Sequence, residues 1–419
     1  MEILSNYRAG MVNGIRIIYL CLILIIIVGN VCQKENKTTV YFWHVMGGPV
    51  GKKLETMIAE FNKCHPEGEI RSVQMGSYDA LAQKLMGAIA SNSPPTIAQM
   101  YESWTDQFYK AGYLEPLQNY IIQDSTFNLN DFFPVFIEDN TFDSIIVTLP
   151  FNKSLPVFYY NATIFDSADI RVFPQNWAEF RIACEKLKKM KIWPTSWPID
   201  VWYFSSMLYQ EGGTLYNPDL RKPMFNDSAG IKVLKYIVDL VKDNLFYLNP
   251  GFQRQDEFLS GNVGTIPASI VSWAFLKGRP KFKMGVAPFP QGNNPGVVIA
   301  GTNIGMFTNS DKNQKKLAWE FIKWFLEPVQ QITWTKASYY LPTRISVLKL
   351  PEFQHFMAEN LNYDKIIAQL QFARTEPKTK EWFTGRIYLN EALEEALRLE
   401  RSPEDALNNA AKRMLVDLK

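Results

Sequence analysis

The spacing of apolar positions changes along the chain. Residues 38–46 ("TTVYFWHVM") are rich in β-branched and aromatic side chains, which predicts a strand. After "GGP", Val50, Leu54, Met57, Ile58 and Phe61 fall on one helical face. "IRSVQM" (70–75) alternates like a half-buried strand. Ser77 stands where it can cap a second helix, whose stripe is Leu81, Leu85 and Ile89. "PTIAQM" (95–100) then reads as a buried strand. This β-α-β-α-β order predicts an α/β fold with a parallel sheet covered by helices.

The rhythm resumes further on. "IIVTLPFNKSLPVFYYN" (145–161) predicts two strands broken by Pro150, Asn152 and Pro156. Residues 176–190 and 227–244 predict helices, the second with Ile231, Leu234, Val238 and Val241 on one face. Strands are expected at 261–269, 283–290 and 296–307. Three helices close the chain. The second carries Leu389, Leu393 and Leu397 on one face; the third opens with Ser402, Pro403 and Asp405, a helix-start signal. Two α/β sets joined by extended crossings predict two lobes around a cleft, hinged near 148–156 and 296–302. Lobe 1 is expected to comprise 38–149 plus about 299–343, and lobe 2 150–298 plus about 344–419. In such sheets ligands bind beyond the carboxyl ends of the strands. Trp43, His44, Tyr78, Tyr101, Glu102 and Trp104 stand at those ends.

A chain of 419 residues is long enough for two domains. Its net charge of +2 supplies no basic field for nucleic acid, which argues against that partner. At the N-terminus, Arg8 and Arg16 flank the apolar run Ile17 to Val28. A helix of that length spans roughly 18 Å, too short for a bilayer core of about 30 Å. It suits a secretory signal peptide over 1–31. Cys32 follows the run in "GNVC" and resembles a lipid-attachment cysteine, although Gly29 and Val31 depart from the usual residues before it. Residues 32–37 then read as a polar tether. Cys64 and Cys184 remain in the body, and the sequence leaves their pairing open. With three histidines and no C-x-x-C or H-x-x-x-H, no metal-site spacing is present, and no metal or cofactor is expected.

The stretches "FWHVMGG", "GSYDAL", "PTIAQMYE", "GYLEPL", "PFNKSLPVFYYN" and "YYLPTR" resemble family 1 extracellular solute-binding proteins of ABC importers. The likeness is nearest to their glycerol-3-phosphate-binding members. It runs from about residue 38 to the C-terminus, strongest over 40–161 and weakest over 185–260. It implies a type II periplasmic-binding-protein-like fold, with hinged lobes closing on one small ligand. It further implies delivery of glycerol 3-phosphate, or a related glycerophosphodiester, to ABC permease subunits by an extracytoplasmic, lipid-anchored monomer without enzymatic activity. Its ligand residues carry over to Tyr78 in "GSY", Glu102 in "MYE", Ser154 in "PFNKS" and Ser269 in "PAS". Gly301 in "AGT", Tyr340 in "YYLP" and Arg386 in "GRIYLNEALE" complete the set, with Arg374 as a competitor for the last place. Trp43, Trp197 and Trp202 are candidates for an aromatic shelf.

The chemistry agrees. Arg offers a planar fork of donors to phosphate, and Ser, Tyr and a bare Gly N–H can fill the remaining oxygens. A carboxylate only accepts, so Glu102 suits polyol hydroxyls. The same residues also fit structural roles: Glu102 as an acid at a helix start, the serines as loop hydrogen-bonders, Tyr340 and the tryptophans as core. Arg386 could pair with Glu391 or Glu394, and His44 reads as structural. Two other functions fit the composition. A neutral mono- or oligosaccharide would suit many aromatics and one Glu. A glycan-active enzyme would need a second carboxylate beside Glu102, with Asp79 or Asp200 as the candidates.

Overall fold

The structure, a computed structural model, describes residues 37–417 except 218, 220, 221, 250 and 252. The expected signal peptide, Cys32 and most of the tether lie outside the described residues.

The first strand spans Thr38–His44. Val40, Phe42 and His44 are buried while Tyr41 is exposed, the alternation of a pleated strand. It pairs in parallel with Gly68–Gln74 on one side and Ile97–Met100 on the other. The helix Gly48–Cys64 buries Val50, Leu54, Met57, Ile58 and Phe61, the predicted face. Withdrawing each such side chain from water contributes about 1.5–3 kcal/mol. Ser77 caps Tyr78–Ala90 by accepting from Ala80 N, as predicted. In that helix Ala88 is buried and Ile89 only partly covered.

A strand from far along the chain completes this sheet. Its order is Gly68–Gln74, Thr38–His44, Ile97–Met100, Ala300–Phe307, Leu114–Glu115, and Leu149–Ser154 also pairs with Ala300–Phe307. Ala300–Phe307 runs antiparallel to all three of its partners. The second sheet has the order Phe246–Leu248, Trp193–Trp197, Val263–Ser269, Pro156–Asn161, Met284–Pro288. There Pro156–Asn161 is the antiparallel strand. The chain passes from the first sheet to the second at Leu155 and returns between Pro288 and Ala300.

Leu155 lies within the expected crossing 148–156, and the return between Pro288 and Ala300 overlaps 296–302. Residues 149/150 fall inside the strand Leu149–Ser154, which belongs to the first sheet. Pro150 and Asn152 do not break it. The strand has one ladder partner, so a missing N–H is tolerated, and the register slips at Thr302/Asn303. Beyond 343/344 the contacts go to both sides. Ser346 N donates to Asp131 Oδ1 at 2.8 Å, beside the first sheet, whereas Asn362 Nδ2 donates to Val286 O at 2.7 Å in the second.

Short helices lacking a long apolar stripe escaped the sequence reading: Pro134–Asn140, Pro328–Ser338, Pro351–Glu359 and Tyr363–Ala368. In Ser228–Lys242 the buried face centres on Val233, Leu234, Ile237 and Val238, while Ile231 and Val241 are only partly covered. This helix packs on Phe246–Leu248 and on both C-terminal helices, so its apolar stripe is wider than one face. Those helices, Lys380–Leu397 and Pro403–Asp417, bury Leu389, Leu393 and Leu397 as predicted, and Ser402 accepts from Asp405 N at 3.1 Å. One apolar cluster runs through the waist from Phe42 and Phe151 through Leu155 to Tyr159 and Ile266. Each lobe adds a private cluster, around Leu81 and Trp104 in the first and around Phe158 and Leu234 in the second. Cys64 is exposed, Cys184 is buried, and neither is in a disulfide.

Candidate ligand cleft

The strand Ile97–Met100 ends at Tyr101, which caps the helix Glu102–Lys110 in extended backbone conformation. Glu102 therefore opens that helix, where a negative charge complements the helix dipole. The aromatics around it pack on one another. Tyr78 and Tyr101 have ring centroids 4.8 Å apart, and Trp104 meets Tyr101 edge-on at 5.3 Å. Trp43 lies partly buried against the same cluster. Burial pushes the Tyr78, Tyr101 and Tyr340 hydroxyls above the usual phenol range, so they remain neutral donors.

Gln99, which the sequence reading passed over, ties this wall to the waist. Its amide oxygen accepts from Val45 N at 2.9 Å, and its Nε2 donates to Asn152 Oδ1 at 3.1 Å and to the Tyr78 hydroxyl at 3.4 Å. Asn152 Oδ1 also accepts from the backbone N–H and the hydroxyl of Thr302. Asn152 Nδ2 is buried with no hydrogen-bond partner among the described residues.

Ser154 and Gly301 lie on the paired strands at the waist, where Ala300 faces Ser154 and Gly301 faces Lys153. Gly301 has φ +101°, and a Cβ there would stand 1.8 Å from the Asn152 carbonyl oxygen, so only glycine fits this close approach. Tyr340 follows Tyr339, which ends the helix Pro328–Ser338 in the left-handed conformation. Its ring stacks on Trp334 at 5.8 Å, and Leu341 N donates to Lys153 O at 2.8 Å, fixing this turn to the crossing strand.

Ser269 ends Val263–Ser269 and accepts from Val271 N at 3.3 Å. The next residue, Ile270, donates its N–H to Leu155 O at 3.1 Å, which seats Ser269 beside the crossing. Arg386 projects from Lys380–Leu397, a helix that packs against Glu102–Lys110. Its Nη2 contacts Asp200 Oδ1 at 2.9 Å and its Nε contacts Glu376 Oε2 at 3.1 Å. Burial works against the guanidinium charge, but Glu376 and Asp200 outweigh it and hold the group more firmly protonated. The alternative partners are engaged elsewhere, Glu391 with Arg413 and Glu394 with Arg398. Arg374 stands exposed on the short strand that pairs with Val297–Val298, close enough to act on Tyr209.

Two expectations need correction. Trp197 is 2% exposed and stacks on Phe246 at 4.6 Å, so it belongs to the second lobe's core and offers no shelf. Trp202 is also buried, and its Nε1 donates to Val298 O at 2.8 Å, so it anchors its helix to the waist. His44 is structural: Nδ1 accepts from Met46 N at 3.1 Å, and burial lowers the imidazole to about 4, leaving it neutral. Spacing marked no metal site, yet the fold brings His65, Glu67 and Glu320 together with ligand atoms within 4.8 Å of one another, at the end of Gly48–Cys64 away from the cleft.

The least expected group is Lys153, which is wholly buried. Its Nζ contacts Asp139 Oδ2 at 2.5 Å and Glu102 Oε1 at 3.5 Å. Asn303 Nδ2 also donates to Asp139 Oδ2, at 3.0 Å. Burial and the Asp139 charge hold the Glu102 carboxyl well above the usual range, and Lys153 opposes them. A charged residue between Asn152 and Ser154 in an otherwise uncharged run was the available signal.

Two α/β lobes with a polar and aromatic cleft where their strands cross define a solute-binding protein. The profile of the bacterial extracellular solute-binding protein family matches residues 56–359, and the chain belongs to that family. It is 25% identical over 406 residues to the sn-glycerol-3-phosphate-binding periplasmic protein UgpB of Yersinia pestis bv. Antiqua (strain Antiqua), covering 90% of this chain and 91% of that protein. Among solved structures, UgpB from Mycobacterium tuberculosis in complex with glycerophosphocholine superposes with a TM-score of 0.81 at 20% identity, covering 91% of this chain and 99% of that one. The cyclic alpha-maltosyl-1,6-maltose binding protein from Arthrobacter globiformis superposes with a TM-score of 0.80 at 24% identity, covering 92% and 100%. The fold is thus that of the two-lobed periplasmic binding proteins. The chain is an extracytoplasmic solute-binding protein of an ABC transporter and not an enzyme. Among the described residues, no helix is long and apolar enough to cross a membrane.

Proposed function

We propose that the chain captures a glycerol phosphate ester, either glycerol 3-phosphate or a glycerophosphodiester, and delivers it to its ABC permease. The observation that carries this reading is the gathering of Tyr78, Glu102, Ser154, Gly301 and Tyr340 around the crossing strands, with Arg386 on the helix that packs against Glu102–Lys110. Glu102 accepts hydrogen bonds from the glycerol hydroxyls. Tyrosine and serine hydroxyls, the Gly301 N–H and Arg386 take the phosphate oxygens. The lobes, divided near Leu155 and again before Ala300, close because these contacts form together only in the shut state. Export by the 1–31 signal, lipid on Cys32 and a monomeric state complete the proposal.

Titration of intrinsic fluorescence tests it. One saturable site for glycerol 3-phosphate or glycerophosphocholine is expected. A flat response to both overturns the reading.

One observation favours a second reading, a neutral sugar. Arg386 is already matched by Asp200 and Glu376, so this wall carries no surplus positive charge for an anion. Arg386→Ala discriminates. It is expected to weaken a phosphate ester by about ten- to a hundredfold, the usual loss of a hydrogen bond to a charged group, and to leave a neutral sugar's affinity nearly unchanged.

A further inference from the structure

We propose that Lys153 is a positioning residue: paired with Asp139 in the waist, it offsets that neighbour's charge and holds the Glu102 carboxyl in place at the cleft as an acceptor for the ligand's hydroxyls. This rests on the role assigned to Glu102 above.

The geometry is a buried trio with one cation and two carboxylates. Asp139 takes the short contact with Lys153, 2.5 Å against 3.5 Å for Glu102, and is further held by Asn303. Both carboxyls thus contact the same ammonium. Two carboxylates so close cannot both ionise without a nearby cation; one retains a proton. A protonated Glu102 would present an O–H where the ligand needs an acceptor. Lys153 supplies that cation. Its backbone lies on the crossing strand, facing Gly301 and accepting from Leu341 N, so the ammonium is anchored to the waist and not to either wall.

Other charges reach this group. Lys378, whose Nζ donates to Glu138 O and Thr141 O, acts on Glu102, Asp139, Glu138 and Asp106. Tyr101 adjoins Glu102, and Arg386 acts on Tyr101 from the second lobe. None of them contacts the Glu102 carboxylate as Lys153 does among the described ion pairs.

The test reads Glu102 directly. The ligand-free protein is labelled at the glutamate side-chain carboxyls with carbon-13 and titrated by NMR, with Glu102→Gln assigning the signal. Lys153→Met is expected to raise the Glu102 midpoint by about one pH unit or more. Asp139→Asn, which keeps the cation and removes the competing carboxylate, is expected to lower it. Lys153→Arg should stay near the natural midpoint. A midpoint unchanged in Lys153→Met overturns the proposal; if Lys153→Met does not fold, Lys153→Gln read in the same way decides.

Binding supplies the second readout. Glycerophosphocholine keeps its charge between pH 5 and 9, so the protein alone titrates. A carboxylate needed in its ionised form loses affinity as pH falls through its midpoint. The Lys153→Met affinity should therefore fall at higher pH than the natural protein's, and recover as pH rises. A loss equal at every pH would show a merely structural role and overturn the proposal. If the natural protein binds no glycerol phosphate ester, the ligand reading fails while the NMR midpoints still judge Lys153.

Discussion

Each side of the cleft carries one cation flanked by two carboxylates. On the first lobe's side Lys153 is fully buried, Asp139 nearly so, and Glu102 is 16% exposed. On the second lobe's side Arg386 is 41% exposed, Asp200 38% and Glu376 18%. The same three charges do different work in the two places. Buried, each ion has given up its hydration and depends on its partners, so the trio is a fixed element of the waist. Half-exposed, Arg386 can exchange carboxylate for water or ligand at small expense, because screened surface pairs contribute little. The first trio suits setting the state of one acceptor; the second suits releasing and gripping a ligand.

Mutations break this comparison in order of size. Lys153→Ala leaves two buried carboxylates without their cation. It should lower unfolding free energy by about 3–5 kcal/mol, the usual result of removing one partner of a buried pair, read by urea denaturation. Gly301→Ala attacks the same waist without touching charge. A Cβ 1.8 Å from a carbonyl oxygen, at φ +101°, must push the paired strands apart. About 2–3 kcal/mol of destabilisation is expected, with weakened ligand binding in the same fluorescence titration. Arg386→Ala should change stability by less than about 1 kcal/mol while still costing affinity for a phosphate ester. If Arg386→Ala destabilises as much as Lys153→Ala, the contrast between the two trios is wrong.

Much of the scaffold was legible in sequence. The helix over Gly48–Cys64, the capped start at Ser77 and the last helix behind Ser402 all follow from side-chain period and capping chemistry, which act within one or two turns. Strand-end position drew attention to Tyr78 and Glu102, whereas Ser154, Gly301 and Tyr340 were named only through the family resemblance of their short motifs. Trp197 misled because a tryptophan at a strand end fits a shelf and a core equally well until its neighbour Phe246 is known.

The sequence by itself determined the alternation of strands and helices, the two-lobed class and the sites of the crossings, since each depends on interactions between residues near in the chain. Only the tertiary structure decided that Leu149–Ser154 stays with the first sheet, that Gln99 joins Tyr78 to Asn152, and that Arg386 meets Asp200, 186 residues away. It also decided that Lys153 is buried between Asp139 and Glu102. Pairings of this kind are set by which elements meet across the waist, and no local period encodes the meeting of charges that are far apart in the chain.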